Sequence, residues 1–126
     1  MSDVDLAEQC ARFFQYSSAH DWDALAHLCA PDAVFAQNGH ETDLDGMLAM
    51  VHGITESGIE YSYSDVRRLA VEGEPSVVEQ HRVTMRRGDG VEANIDVCVV
   101  LRFDDDGRVV RLDEYADTAA FAPLFA

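Results

Sequence analysis

Two residues able to move protons fall where apolar side chains would be expected. Along residues 76–87, a two-residue period puts Val77, Glu79, His81, Val83 and Met85 on one face. Val78, Gln80, Arg82, Thr84 and Arg86 take the other. In "VVRLDEYAD", residues 109–117, Val110, Leu112, Glu114 and Ala116 share a face opposite Arg111, Asp113, Tyr115 and Asp117. His81 and Glu114 thus each interrupt an apolar stripe. If both stripes face one interior, an imidazole and a carboxyl enter it together. Burial raises the pKa of a lone carboxyl and a nearby imidazolium lowers it again. Such a pair suits general acid–base chemistry near neutral pH. The same two groups could instead form a buried structural pair that fixes strand register.

Other chemistries find less support. The chain has nine arginines and no lysine, which removes Schiff-base chemistry and the lysine of a phosphate-binding loop. Cys10, Cys29 and Cys98 form no CxxC, and an odd number argues against a disulfide framework. No HxxxH or HxH spacing points to a metal, and His20, His27, His40 and His52 fall on helix–loop surfaces, a loop and a helix end. Asp104-Asp105-Asp106-Gly107 reads as a solvated hairpin turn, and no serine lies in GxSxG. Twenty-four acids against nine basic residues give a net charge of −15, a surface that repels nucleic acid and anionic lipid.

The elements that must hold His81 and Glu114 follow from a change of period. Leu6, Cys10, Phe13, Phe14 and Ser17 recur at helical spacing within 4–18. A shorter helix follows Asp21 as N-cap, with Trp22, Leu25, Ala26 and Cys29 on its apolar face, stopped by Pro31-Asp32. "AVFAQ" reads as a brief strand ending at Asn38-Gly39, and a third helix capped by Thr42 or Asp43 turns Leu44, Met47, Leu48 and Val51 inward. After Gly58 the period becomes two. Residues 59–72, 76–87, 91–104 and 108–117 read as four long strands separated by glycine-containing turns. Helices followed by antiparallel strands mean an α+β domain, expected to be one unit over 1–126 with helices on one sheet face. Tyr61 and Tyr63 share a strand face and line a pocket or the core. The apolar tail "TAAFAPLFA" is expected to close over a pocket mouth or a partner subunit. No apolar run approaches a membrane span, and the N-terminus lacks a signal peptide's pattern, so a cytoplasmic location is expected.

This order of elements resembles the nuclear transport factor two-like superfamily, with SnoaL-like polyketide cyclases and limonene-epoxide-hydrolase-like proteins as the most similar branches. The segments that carry the resemblance are "DWDAL…APDAVF" (residues 21–35) and "DGRVVRLDEYAD" (residues 106–117). It implies a cone-shaped α+β barrel: three N-terminal helices packed in a strongly bent, mainly antiparallel sheet around a deep apolar pocket. It places Glu114 at the catalytic aspartate of the epoxide hydrolases and of the cyclases. The hydrolases' arginine and second acid correspond to His81 and Val83, and their water-positioning tyrosine and asparagine to Phe35 and Gln37. Ketosteroid isomerase's catalytic positions fall near Gln37, Phe13 and Val99, with none of its residues kept.

The leading expectation is a cofactor-independent enzyme acting on a small hydrophobic carbonyl- or epoxide-bearing molecule. His81 takes a proton or holds it in common with Glu114. Glu114 orients the imidazole or donates to a developing oxyanion, and Gln37 bonds a substrate oxygen or a water. Phe13, Phe35, Met47, Tyr63, Val83, Val97 and Val99 supply apolar walls. The alternatives are a non-catalytic ligand-binding or assembly module, and a degenerate epoxide hydrolase. No cofactor, metal, nucleic acid or membrane is expected. The resemblance further implies a homodimer through the outer sheet face, where Cys98, Val100 and Tyr115 lie among Arg102, Arg111 and Asp113.

Overall fold

In a computed structural model, which describes residues 5–125, helices precede a single six-stranded sheet. Residue 4, where the first helix was expected to start, and Ala126 of the tail lie outside the described residues. Helix α1 (Leu6–Ser18) starts at Asp5, whose carboxylate accepts from Glu8 N, and buries Cys10, Phe13, Phe14 and Ser17. Helix α2 (Trp22–His27) is capped by Asp21, which accepts from Ala24 N. Helix α3 (Leu44–Glu56) is capped by Asp43 rather than Thr42. Each cap supplies an acceptor to an N–H that the first helical turn leaves unpaired.

The strands are β1 (Cys29–Gln37), β2 (His40–Thr42), β3 (Glu60–Ala70), β4 (Ser76–Arg86), β5 (Glu92–Phe103) and β6 (Val109–Ala116). They lie in the order β2-β1-β6-β5-β4-β3, with β1 and β6 parallel and every other pair antiparallel. A 3-10 helix, Thr118–Phe125, ends the chain and packs against β5.

Two features differ from the sequence reading. The first strand begins at Cys29, not at Ala33, so helix α2 ends at His27, ahead of Pro31. Its first pairing is to Val109, and a register irregularity between Cys29 and Val34 accommodates Pro31, which cannot donate to a ladder. His40 belongs to β2, joined to β1 by the Asn38-Gly39 turn, where both residues have positive φ, as a tight hairpin requires. The tail is helical.

The sheet is strongly curled and unclosed. Bulges concentrate the twist that curls it. The one in β3 lies between Ser64 and Arg67, with Asp65 at φ 54. On the concave side Phe13, Leu25, Val77, Val99, Leu101, Phe103 and Val109 form the core. The parallel junction of β1 and β6 is fastened at its end. Asn38 N donates to Glu114 O at 2.8 Å, and its side-chain amide bonds both the N–H and the carbonyl of Ala116 (3.0 and 2.8 Å). Among the described residues, no helix is long and apolar enough to cross a membrane.

Candidate functional site

Strand register brings the polar residues of the concave face into one row. Gln37 of β1 lies opposite Glu114 of β6, which lies opposite Val99 of β5. Val99 pairs in turn with Glu79 of β4, and Glu79 with Arg68 of β3. His81 sits one pleat along from Glu79, opposite Val97. Glu114 and His81 are therefore separated by the width of β5. Two strand spacings and a two-residue offset put their backbones about 12 Å apart, and both side chains line one cavity.

The partner of His81 is Glu79. Its carboxylate, fully buried at 0% exposure, accepts from His81 Nδ1 at 2.5 Å and from Arg68 Nε at 2.5 Å. The Cys10 thiol adds a contact at 3.5 Å. Burial, then Glu79, pushes that thiol up to about 12, so it stays protonated and serves as a donor. A buried carboxylate is tolerable only when paired and hydrogen-bonded, and three donors meet that need. With Nδ1 giving its proton to Glu79, Nε2 is the nitrogen left for a ligand, an acceptor whenever the ring is neutral. Phe14 and Tyr63 hold the ring on two sides, each with its ring centroid 4.8 Å away. The expectation that Glu114 orients the imidazole is corrected here: Glu79, two residues away on the same strand face, does so. The alternation flagged it as plainly as His81, but as one acid among 24 it drew no separate reading.

A cavity of about 620 Å³ lies between the helices and the sheet, lined by both His81 and Glu114. Burial raises the Glu114 pKa, while His81 and a hydrogen bond from Gln37 pull it partly back. Of the residues expected as walls, Phe13, Phe35, Gln37, Met47, Tyr63, Val83 and Val99 line this cavity. Val97 does not. It is buried between His81 and Ala116, on the strand that the 3-10 helix covers. Tyr61, read with Tyr63 as a pocket or core residue, also lines it, and Ser17 and His40 join without having been expected as site residues. The tail closes the mouth from one side, with Thr118, Phe121, Ala122 and Phe125 facing the cavity and Leu124 buried. Arg87 Nη1 donates to the Leu124 carbonyl at 3.0 Å, and the same guanidinium is paired with Asp89. Among the described residues, no three of His, Cys, Asp and Glu come together as a set that could hold a metal ion.

The sequence profile of the SnoaL-like domain matches residues 10–112, most of the chain. The protein belongs to the SnoaL-like family. No curated protein matches its sequence. Solved structures share the fold. A proposed polyketide cyclase from Xanthomonas campestris pv. campestris is 14% identical, with a TM-score of 0.82 over 92% of this chain and 93% of that one. A protein described as an LEH-like epoxide hydrolase of M. tuberculosis is 17% identical, with a TM-score of 0.77 over 95% and 89%. An NTF2-like protein of unknown function from Exiguobacterium sp. 255-15 is 21% identical, with a TM-score of 0.72 over 86% and 98%. At these identities the likeness is one of fold. In this SnoaL-like chain the chemistry must be argued from its own residues.

Proposed function

We propose that this SnoaL-like protein is an acid–base enzyme, working without a cofactor on a small hydrophobic molecule that carries a carbonyl or an epoxide. The observation that carries the proposal is the Glu79–His81 pair. It fixes the imidazole through Nδ1 and leaves Nε2 for a ligand, in a cavity that also holds a carboxyl whose pKa is raised by burial. His81 Nε2 takes a proton from carbon next to the carbonyl, the C–H electrons form a C=C bond, and the carbonyl oxygen becomes an enolate oxygen. Glu114, on the far side of β5, gives its proton to that oxygen or to a second carbon, and the two groups are reset by exchange with solvent. Gln37 holds the Glu114 carboxyl in place. Cyclisation and isomerisation both use such a step. Epoxide opening would use Glu114 as the acid, with His81 activating water. Structures of the same fold described as polyketide cyclase and epoxide hydrolase are consistent with either outcome.

The test is deuterium exchange from solvent into hydrophobic ketones at the carbon next to the carbonyl. His81→Ala and Glu114→Gln are each expected to slow it by about 10²–10⁴-fold. Unchanged exchange in both variants would rule the mechanism out.

A second reading, a non-catalytic ligand-binding module, is favoured by one observation: Arg68, Glu79 and His81 form a compensated buried ion network of the kind that also serves structure alone. It predicts ligand binding that survives His81→Ala with no exchange in the wild type. We also propose a homodimer through the convex sheet face, where Tyr115 is 55% exposed among Arg102, Arg111 and Asp113.

A further inference from the structure

The cavity has a second polar pole. Ser17 of α1 and Tyr61 and Tyr63 of β3 bring three hydroxyls together on its lining. Their protons can be counted. Tyr61 has one and gives it to the Ser17 carbonyl at 2.8 Å. The Ser17 hydroxyl, also 2.8 Å from the Tyr61 oxygen, is then the donor in that contact. Tyr63 is left with Ser17 Oγ at 3.3 Å, the longest bond of the group. At that length its proton is weakly held. Desolvation pushes the Tyr63 phenol far above the usual tyrosine range, so it is a donor at any working pH. Tyr63 also packs against His81 with the two rings tilted by 58°, which puts this donor and the imidazole on the same wall.

The lining contains no arginine, and the chain has no lysine. An anionic ligand would be buried without a counter-charge, beside Glu114 and inside a chain of net charge −15. An ammonium ligand would give up its hydration to a lining made mostly of apolar side chains.

We propose that Tyr63 donates a hydrogen bond to an oxygen of the ligand, and that the cavity takes uncharged, oxygen-bearing hydrophobic molecules and rejects charged ones. This rests on the cavity being the ligand site proposed above, and it names the class that the site accepts. The oxygen displaces the Ser17 contact, exchanging a long hydrogen bond for a short one.

The probes are acetylnaphthalene, its oxygen-free analogue ethylnaphthalene, naphthoate and naphthylmethylammonium. Each is titrated against protein carrying methyl-labelled Val and Met, and the shifts of Val83 and Met47 are followed. The ketone is expected to bind about 5–10-fold more tightly than ethylnaphthalene, the worth of one net hydrogen bond. Tyr63→Phe should abolish that preference while leaving ethylnaphthalene affinity unchanged. Both charged probes should bind at least about tenfold more weakly than the ketone. A ketone preference that survives Tyr63→Phe, a charged probe that binds as tightly as the ketone, or no probe moving these methyls would each overturn the proposal. Affinity is read without turnover, so failure of the acid–base reading is distinguishable. If exchange is absent in the wild type while the Tyr63-dependent preference holds, the donor stands and the catalysis does not.

Discussion

At Glu114 the carboxyl is drawn in two directions. Burial holds its proton, while His81 and the Gln37 amide favour its loss, and burial prevails. The folded state therefore binds this proton more tightly than the unfolded chain, whose carboxyl titrates near 4.5. Stability linked to the group is complete below that pH and is lost as pH rises through the raised folded value. Glu114→Gln is neutral at every pH. It is expected to change little at about pH 4 and to be more stable than the wild type at about pH 8, by a few degrees of Tm. A Tm difference independent of pH would show that the group is not perturbed. Glu79 matters through the hydrogen bonds it accepts. Glu79→Ala leaves the buried His81 Nδ1–H without an acceptor while the more exposed Arg68 can turn to solvent, and is expected to cost about 1–3 kcal/mol in urea unfolding. A loss below about 1 kcal/mol would remove the network from the account of stability. The sequence showed His81 and Glu114 as anomalies because strand alternation is a local property. Which acid bonded the imidazole depended on side-chain reach along β4 and on the Arg68 register, both of which are tertiary facts.

Among the elements, β5 was the most readable, because it carries an unbroken apolar stripe of Ala93, Ile95, Val97, Val99, Leu101 and Phe103. β2 was not legible. It has three exposed residues and is held by its pairing with β1, so it leaves no pattern to read. β1 was only half legible, since its first residues owe their extended form to pairing with β6, far away in sequence. Helix α3 shows how the cavity affects its own wall. Met47 is its one fully buried residue, while Leu44, Leu48, Val51 and Ile54 are half-buried. The helix spans a space instead of packing onto the sheet. Amide hydrogen exchange in α3 is therefore expected to be at least about tenfold faster than in β4 and β5, because local opening gives up little apolar contact. Equal protection would mean that α3 is anchored as firmly as the sheet. A second point of tension is Gly46 in its first turn. A Cβ there would come within 1.9 Å of Thr42 Oγ1, so this position admits no side chain unless Thr42 moves.

For the whole molecule, curl, charge and surface pattern are linked. The acids dominate the first 60 residues, while eight of the nine arginines lie beyond residue 60. On the convex face they form paired charges: Arg82 with Asp96, Arg86 with Glu92, and Arg111 with Asp113 and Glu41. Exposed pairs of this kind contribute little stability, but both signs side by side make a face that can match its own copy. Sedimentation equilibrium at micromolar concentration is expected to give a dimer, and Tyr115→Glu is expected to shift it to monomer. A wild-type chain that is monomeric throughout would end the proposal. The whole-molecule form was legible in outline, since a helix-first, strand-last order leaves few arrangements. The cavity was not, because its volume depends on how far α3 stands off the sheet.

The fastening of Asn38 to Ala116 and Glu114 has one more consequence. Below it, the last turn of the chain leaves from a point that cannot unzip, because the amide of Asn38 closes both backbone groups of Ala116. The eight residues from Thr118 to Phe125 cross the cavity mouth from that point and are held at their far end by the buried Leu124 and its bond from Arg87, contacts separate from those that fix Glu114. For the proposed enzyme, residence time in the cavity and the chemistry there would then be separate traits. Substitutions in the tail can tune how long a visitor stays without retuning the groups that act on it.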